Sequence, residues 1–338
     1  MVKTDIRTSI QEAMRAAFPA AEARVAAFYA MQQYQLGWYD DRLAPASVDP
    51  GKLLRPQLTL LACRAVGGDA LQALPLAAGI QLVHDFSLIH DDIEDNSDTR
   101  RGRPTVWRLW GLAQGINTGD GMFTVAHLSL HRLAQAGVPP EVVLDVLCRF
   151  DQTILTICEG QFLDLSFEGD LAIGEDDYLA MIGRKTAALT AAAAGLGAIV
   201  GGAAPATAEA LFEFGRSLGL AFQIQDDVLG IWGDPALTGK PLAADLYRRK
   251  LSLPVIYGLR VAERRDALAA IYRQTEIGDD EVRQALAILD SAGARGYTES
   301  IAARYHRQAL DALDVAGSGT AALAELRAIA ERLLDRKF

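Results

Sequence analysis

GIQLVHDFSLIHDDIEDNSDTRRGRP (79–104) joins an apolar run to a dense acidic cluster and then to three arginines. Gly79 to Ile89 reads as a helix heading into a core. Asp91, Asp92, Glu94, Asp95 and Asp98 follow within eight residues, and then Arg100, Arg101 and Arg103. On a helix, residues i and i+4 share a face about 6 Å apart along the axis, so Asp91 and Asp95 project together with Asp92 to one side. Converging carboxylates repel one another unless cations neutralise them. Hard divalent ions with oxygen ligands are the natural partners, and Mg²⁺ is usually held by one or two carboxylates plus substrate phosphates. The alternative is a solvated acidic turn at a helix end.

A second stretch, AFQIQDDVLG (221–230), echoes the first: an apolar helix running into Asp226 and Asp227, with Gln223 one turn earlier on the face of Asp226. Its i+4 position is Gly230 and supplies no carboxylate; Asp234, four residues on, is expected to help through water. Basic residues recur around both clusters. Lys52 and Arg55 stand three apart before a helix, Arg184-Lys185-Thr186 heads an Ala-rich segment, Lys240 follows the second cluster, and Lys250 ends an Arg-Arg-Lys run. Each alone reads as a surface cation. Together they form the pattern of a polyphosphate site held by Arg, Lys and bridging metals. The glycine-rich loop of nucleotide-binding proteins is absent from the sequence.

The rest of the chain bounds the fold. Half of the 338 residues are hydrophobic and period-two alternation is nearly absent, which predicts an all-α protein forming one domain over 1–338. A formal net charge of −10 argues against nucleic acid as a partner. The three cysteines, Cys63, Cys148 and Cys158, lack metal-ligand spacing and read as reduced, partly buried thiols of a cytoplasmic protein. MVKTDIRTSIQEAM carries no apolar signal core. The charge-free run 186–208 is mostly Ala and Gly, so a close-packed core helix is expected there rather than a transmembrane segment. From about Asp279 onward the pattern is amphipathic, as in helices that cover a core.

The ordered motifs GKLLRP (51–56), HDFSLIHDDIEDNSDTRRGRPT (84–105), GRKTAAL (183–189), AFQIQDDVLGIWGD (221–234), TGKP (238–241) and RRKLSLP (248–254) resemble those of the trans-isoprenyl diphosphate synthases, or polyprenyl synthetases. The resemblance implies a single-domain bundle of antiparallel helices around a deep central cavity, assembled as a homodimer. The implied reaction condenses isopentenyl diphosphate with an allylic diphosphate, using two to three Mg²⁺ ions. Carried over by motif, Asp91, Asp95 and Asp226 hold metal, with Asp92 and Asp227 alongside. Arg100, Lys185 and Lys240 hold the allylic diphosphate, and Lys52, Arg55, His84 and Arg101 hold the isopentenyl diphosphate. Thr186 and Gln223 line the reacting centre, where an oxygen dipole favours a cation, and Lys250 lies near the closing loops.

Product length in this family depends on bulk just before the first acidic motif. Phe86, five residues before Asp91, should cap the chain pocket, and Ser87 should leave some room. That pattern implies a short-chain enzyme making geranylgeranyl diphosphate, with farnesyl diphosphate as the alternative. A class I terpene cyclase would carry an Asn-led second metal motif, and neither asparagine here, Asn96 or Asn117, sits in one. A non-catalytic synthase subunit would have lost the aspartates that Asp91, Asp92 and Asp95 retain.

Overall fold

The computed structural model describes residues 6–49, 51–234 and 242–334. Helices dominate: α1 (Ile6–Ala17), α2 (Ala26–Gln35), α3 (Leu54–Ala65), α4 (Ala70–Glu94), α5 (Val106–Trp110), α6 (Leu112–His131), α7 (Pro140–Ser166), α8 (Glu175–Ile182), α9 (Ala188–Val200) and α10 (Pro205–Trp232). Beyond Ala244–Tyr247 come Leu253–Val261, Arg265–Tyr272, Asp279–Ser291, Ala294–Ala316 and Ala321–Leu334. Among the described residues the named strands are β1 (Thr99–Arg100) and β2 (Arg103–Pro104), an antiparallel pair. The chain is therefore all-α, as its composition predicts.

The helices group into two compact units, one of Met1–Phe150 with Ala193–Ala208, the other of Asp151–Ala192 with Glu209–Phe338. Each draws on two separate stretches of chain, so neither is a contiguous sequence domain. One domain over 1–338 stays our proposal.

In the first unit α4 packs against α1, α3 and α6. Its residues 76–80 and 82 are buried on every side, the mark of an interior helix. Asp69 caps its start by accepting the Leu71 N–H at 2.9 Å. Gly79 lets α6 approach closely, since a Cβ there would lie 2.1 Å from Cδ1 of Leu130. The helix stops directly after the acidic motif. Asn96 turns left-handed at φ 50°, its N–H meets the Ile93 carbonyl at 3.2 Å, and the Ser97 N–H meets the Asp92 carbonyl at 2.8 Å. This is a Schellman closure with asparagine in the usual glycine position.

The Ala-rich run behaves as a core helix. Residues 192–194, Leu196 and Ala198 of α9 are buried, and Gly197 lies so close to α3 that a Cβ would meet the Thr59 carbonyl oxygen at 2.3 Å. No described helix is long and apolar enough to cross a membrane. Of the cysteines only Cys63 is buried; Cys148 and Cys158 are exposed on α7, which corrects the expectation of partial burial.

In the second unit Tyr178, Met181 and Ile182 of α8 pack with Leu220 and Ile224 of α10, Leu253 and Ile301. A neighbouring cluster holds Ile231, Leu246, Val255 and Leu268. The late helices bury single stripes, such as Val282, Ala285, Ile288 and Leu289 of Asp279–Ser291, as their amphipathic pattern predicts.

Candidate active site

The acidic end of α4 is folded back upon by the arginines that follow it. Arg101 (φ 52°) and Gly102 (φ 72°) form the two-residue turn of the β1–β2 hairpin, both left-handed as such turns require. The turn sends adjacent arginines to different partners. Arg100 reaches the acidic motif, with Nε 2.7 Å from Oδ1 of Asp92 and Nη2 3.3 Å from Oδ2 of Asp91. Arg101 lies against the GKLLRP loop, where a side chain on Gly51 would begin 3.7 Å from its guanidinium carbon. Arg103 holds the hairpin itself, stacking 3.9 Å over the Tyr34 ring and donating to the Tyr34 and Tyr39 carbonyls at 3.0 and 2.8 Å. Of the remaining acids, Glu94 and Asp95 are exposed, and exposed Asp98 pairs with Arg108 at 3.3 Å.

Behind the hairpin lies a dense electrostatic cluster. Burial pushes Asp85 up to about 6, against the pull of the Gln81 hydrogen bond and of Arg101, Arg55 and Arg100. Burial likewise brings Arg55 down to about 10, with Asp85 opposing. His84 falls well below the usual imidazole range through burial and the neighbouring Arg55, Arg101 and Arg100. The imidazole is thus neutral at neutral pH and can donate one hydrogen bond without adding charge. Asp92 is pushed up to about 6 by burial, with Arg100 opposing.

Two polar atoms in this region are buried without a hydrogen-bond partner: Nε of Arg55 and Oδ2 of Asp92. An open donor suits an anion and an open carboxylate oxygen suits a cation, so the residues fit a diphosphate and a divalent ion. Lys52, at the start of the same loop, is exposed, and the next residue, Leu53, takes the left-handed conformation at φ 48° before α3 begins.

In the same unit Phe86 belongs to a column of rings, with His90 5.2 Å away on one side. The Phe86 ring lies 5.4 Å from Phe123, Phe123 lies 4.6 Å from His127, and His127 lies 5.4 Å from Phe150. The Ser87 hydroxyl turns back to the His84 carbonyl at 2.8 Å.

In the second unit the GRKTA segment, Gly183–Ala187, forms a π-helical turn between α8 and α9. Such turns recur at functional sites. Gly160 of α7 makes room for it, because a Cβ there would lie 2.2 Å from the Lys185 backbone nitrogen. The turn presents Lys185 to Asp164, with Nζ 2.5 Å from Oδ2, and Thr186 to Gln223, with Oγ1 donating to Oε1 at 3.1 Å. Asp226 is half-buried beside Asp227, which is 1% exposed and closely bonded on both oxygens. Desolvation opposes charge on Lys250, an exposed residue, but Asp227, Asp245, Asp164 and Asp226 together outweigh it and hold the ammonium above the ordinary lysine range. Lys240 and its TGKP motif lie outside the described residues.

The carboxylate beside Gly230 is Asp245, where the sequence pointed to Asp234. A Cβ on residue 230 would lie 2.1 Å from Oδ2 of Asp245, and Asp234 is exposed. Sequence reasoning also missed Asp85, Asp164 and Tyr178. The one local signal was Asp164 in the run Gly160-Gln-Phe-Leu-Asp164, where Gln161 and Asp164 stand three apart along a helix.

Charge of both signs kept open at the end of a buried helix is what an all-helical enzyme needs to handle phosphorylated substrates. The chain matches the Polyprenyl synthetase family model over residues 38–289. A geranylgeranyl diphosphate synthase from Mycobacterium tuberculosis strain H37Rv is 42% identical over 265 residues, covering 78% of this chain and 75% of that protein. A (2E,6E)-farnesyl diphosphate synthase from Mycobacterium bovis is 37% identical over 317 residues, covering 90% and 85%. The crystal structure of a polyprenyl synthetase from Streptomyces coelicolor A3(2) superposes with a TM-score of 0.89 at 35% identity, covering 97% of each chain. This chain belongs to the polyprenyl synthetase family and has its helical fold. It is an enzyme, a prenyltransferase of isoprenoid biosynthesis.

Proposed function

We propose that this chain condenses isopentenyl diphosphate with an allylic diphosphate (dimethylallyl, geranyl or farnesyl) to a short-chain all-trans prenyl diphosphate, geranylgeranyl diphosphate being the favoured product. The observation that carries the reading is the pairing of an open Asp92 oxygen with an open Arg55 nitrogen, amid His84, Arg100 and Arg101. Within the first unit Arg55, His84 and Arg101 suit one diphosphate, with Lys52 at the loop's exposed edge. Neutral His84 adds a donor there without raising the repulsion among the guanidiniums.

Two to three Mg²⁺ ions, held by Asp91, Asp92 and Asp95 and separately by Asp226, would neutralise a diphosphate and make it a better leaving group. Arg100 already rests on Asp91 and Asp92, so it supplies positive charge to the same carboxylates and can turn to phosphate oxygens. Lys185 and Lys240 are proposed for the allylic diphosphate, with Lys250 in a supporting place. Within the second unit the oxygens of Thr186 and Gln223 can face a developing cation.

A homodimer and a cytoplasmic location belong to the same proposal. Farnesyl diphosphate is the second reading, favoured by the resemblance to the M. bovis enzyme over most of the chain. The test is incubation with Mg²⁺, isopentenyl diphosphate and each allylic primer, followed by chromatography of the dephosphorylated products. Twenty-carbon products support the first reading and fifteen-carbon products the second. No elongation from any primer overturns both.

A further inference from the structure

The second aspartates of the two acidic motifs look alike in sequence and differ in the structure. Asp92 keeps one buried oxygen without a partner. Asp227 keeps none. Asp227 accepts three hydrogen bonds and faces an ammonium at ion-pair distance, with a donor or cation on each oxygen. Its Oδ2 accepts from the Tyr178 hydroxyl and from the Leu253 N–H at 3.3 Å. Its Oδ1 accepts from Nε2 of Gln223 at 3.3 Å and faces Nζ of Lys250 at 3.6 Å. The residue is 1% exposed, as is Tyr178.

We infer that Asp227 is no metal ligand in this chain but the anchor of a buried relay, in which Tyr178 is a positioning residue that fixes Gln223 through Asp227. The inference rests on the prenyl-transfer reading above. Its physical core is the asymmetry of the Gln223 amide. A glutamine can present either its NH₂ or its oxygen to a neighbour, and the two ends are of similar size. A carboxylate accepts only, so Asp227 takes the NH₂ end. The oxygen end is left toward Thr186, whose hydroxyl donates to it at 3.1 Å.

An amide oxygen stabilises nearby positive charge, whereas an NH₂ group opposes it. The relay therefore sets the sign of the dipole that Gln223 offers to an electron-poor carbon. Lys250 balances the buried carboxylate, and the Leu253 N–H ties the relay to the start of the helix Leu253–Val261. Tyr178 supplies a neutral donor from α8, one turn before the GRKTA segment that carries Thr186. Removing its hydroxyl leaves Asp227 short of one donor in a buried place. The carboxylate can then recover that donor only by shifting, and Gln223 shifts with it.

The test combines Tyr178→Phe with Gln223→Ala and the double variant, measuring kcat, KM for both diphosphates and the Mg²⁺ concentration for half-maximal rate. Tyr178→Phe should lower kcat roughly tenfold, in the range typical of lost supporting hydrogen bonds, with both KM values and the Mg²⁺ requirement unchanged. In the Gln223→Ala background the same change should lower kcat less than twofold. A tenfold loss that persists in that background, or a variant that loses Tm and keeps kcat, overturns the inference.

A second arm needs no turnover. The rise in Tm on adding Mg²⁺ with inorganic pyrophosphate should be as large in Asp227→Asn as in wild type and smaller in Asp226→Asn. Its loss in Asp227→Asn would make Asp227 a ligand and overturn the relay. Wild-type protein that shows this Tm rise but elongates no primer would instead sink the prenyl-transfer reading.

Discussion

Replacing Gly160 with alanine tests whether close backbone contact positions the GRKTA turn. The added Cβ would lie 2.2 Å from the Lys185 nitrogen, 2.7 Å from its Cα and 2.8 Å from the Arg184 carbonyl carbon. All three are backbone atoms, so no side chain can swing away. Ordinary contact begins near 3.4 Å, so α7 and the π-helical turn must part by about 1 Å. Overpacking of this kind costs about 1–3 kcal/mol, and a displacement of about 1 Å at a positioning element can cost on the order of a hundredfold in rate. Gly160→Ala should therefore lower Tm by a few degrees and kcat by roughly ten- to a hundredfold. Thermal unfolding and steady-state kinetics with a saturating allylic primer provide the measurements. Gly296→Ala is the control, since nothing lies within 4 Å of a Cβ there, and a helical glycine replaced by alanine should hold or raise Tm. Wild-type kcat and Tm in Gly160→Ala would refute the close-contact argument.

Phe86→Ala should lengthen the products, and Phe86→Ala with Phe123→Ala should lengthen them further, because Phe123 stands 5.4 Å behind Phe86; an unchanged chromatogram counts against the column as a cap. Gly230→Asp should lower Tm by crowding Asp245, and Asp245→Gly in the same chain should restore it; equal Tm values for all three proteins would exclude the crowding. Asp85 gives a pH dependence. Burial raises its carboxyl from 3.8 to about 6, so the folded chain binds the proton more tightly than the unfolded one. That contribution to stability is complete below about pH 4 and is lost as the pH rises through about 6. Asp85→Asn should flatten Tm across this window, and a slope equal to wild type would rule out Asp85 as its source.

What the sequence made legible was what neighbours along the chain determine. The apolar helix ending in Asp91, Asp92 and Asp95 is a local pattern, and α4 follows it. GKLLRP and GRKT were readable because their cations stand within one turn of each other. The π-helical turn was not, since its space comes from Gly160, more than twenty residues earlier. Asp245 was hidden for a similar reason: its relation to Gly230 depends on how the chain returns after α10, and Asp234 was merely nearer in sequence. Tyr178 carries no sequence signal that separates it from core packing, to which it also contributes. Asp92 and Asp227 read alike because a doubled aspartate says nothing of how many donors surround it. Only the fold distinguishes the saturated carboxylate from the open one.

The hairpin at 99–104 has a consequence for how the chain can vary. Two chemically identical neighbours, Arg100 and Arg101, are assigned to an acidic motif and to a glycine loop by their places in the hairpin, the first in β1 and the second in its turn. A one-residue slip in a strand exchanges its two faces. Deleting Ser97 would keep every charge in the sequence and still exchange the duties of the two arginines. Insertions and deletions in this short stretch should therefore be far less tolerated in natural variation than substitutions at its exposed positions, although the segment is a surface loop by every compositional measure.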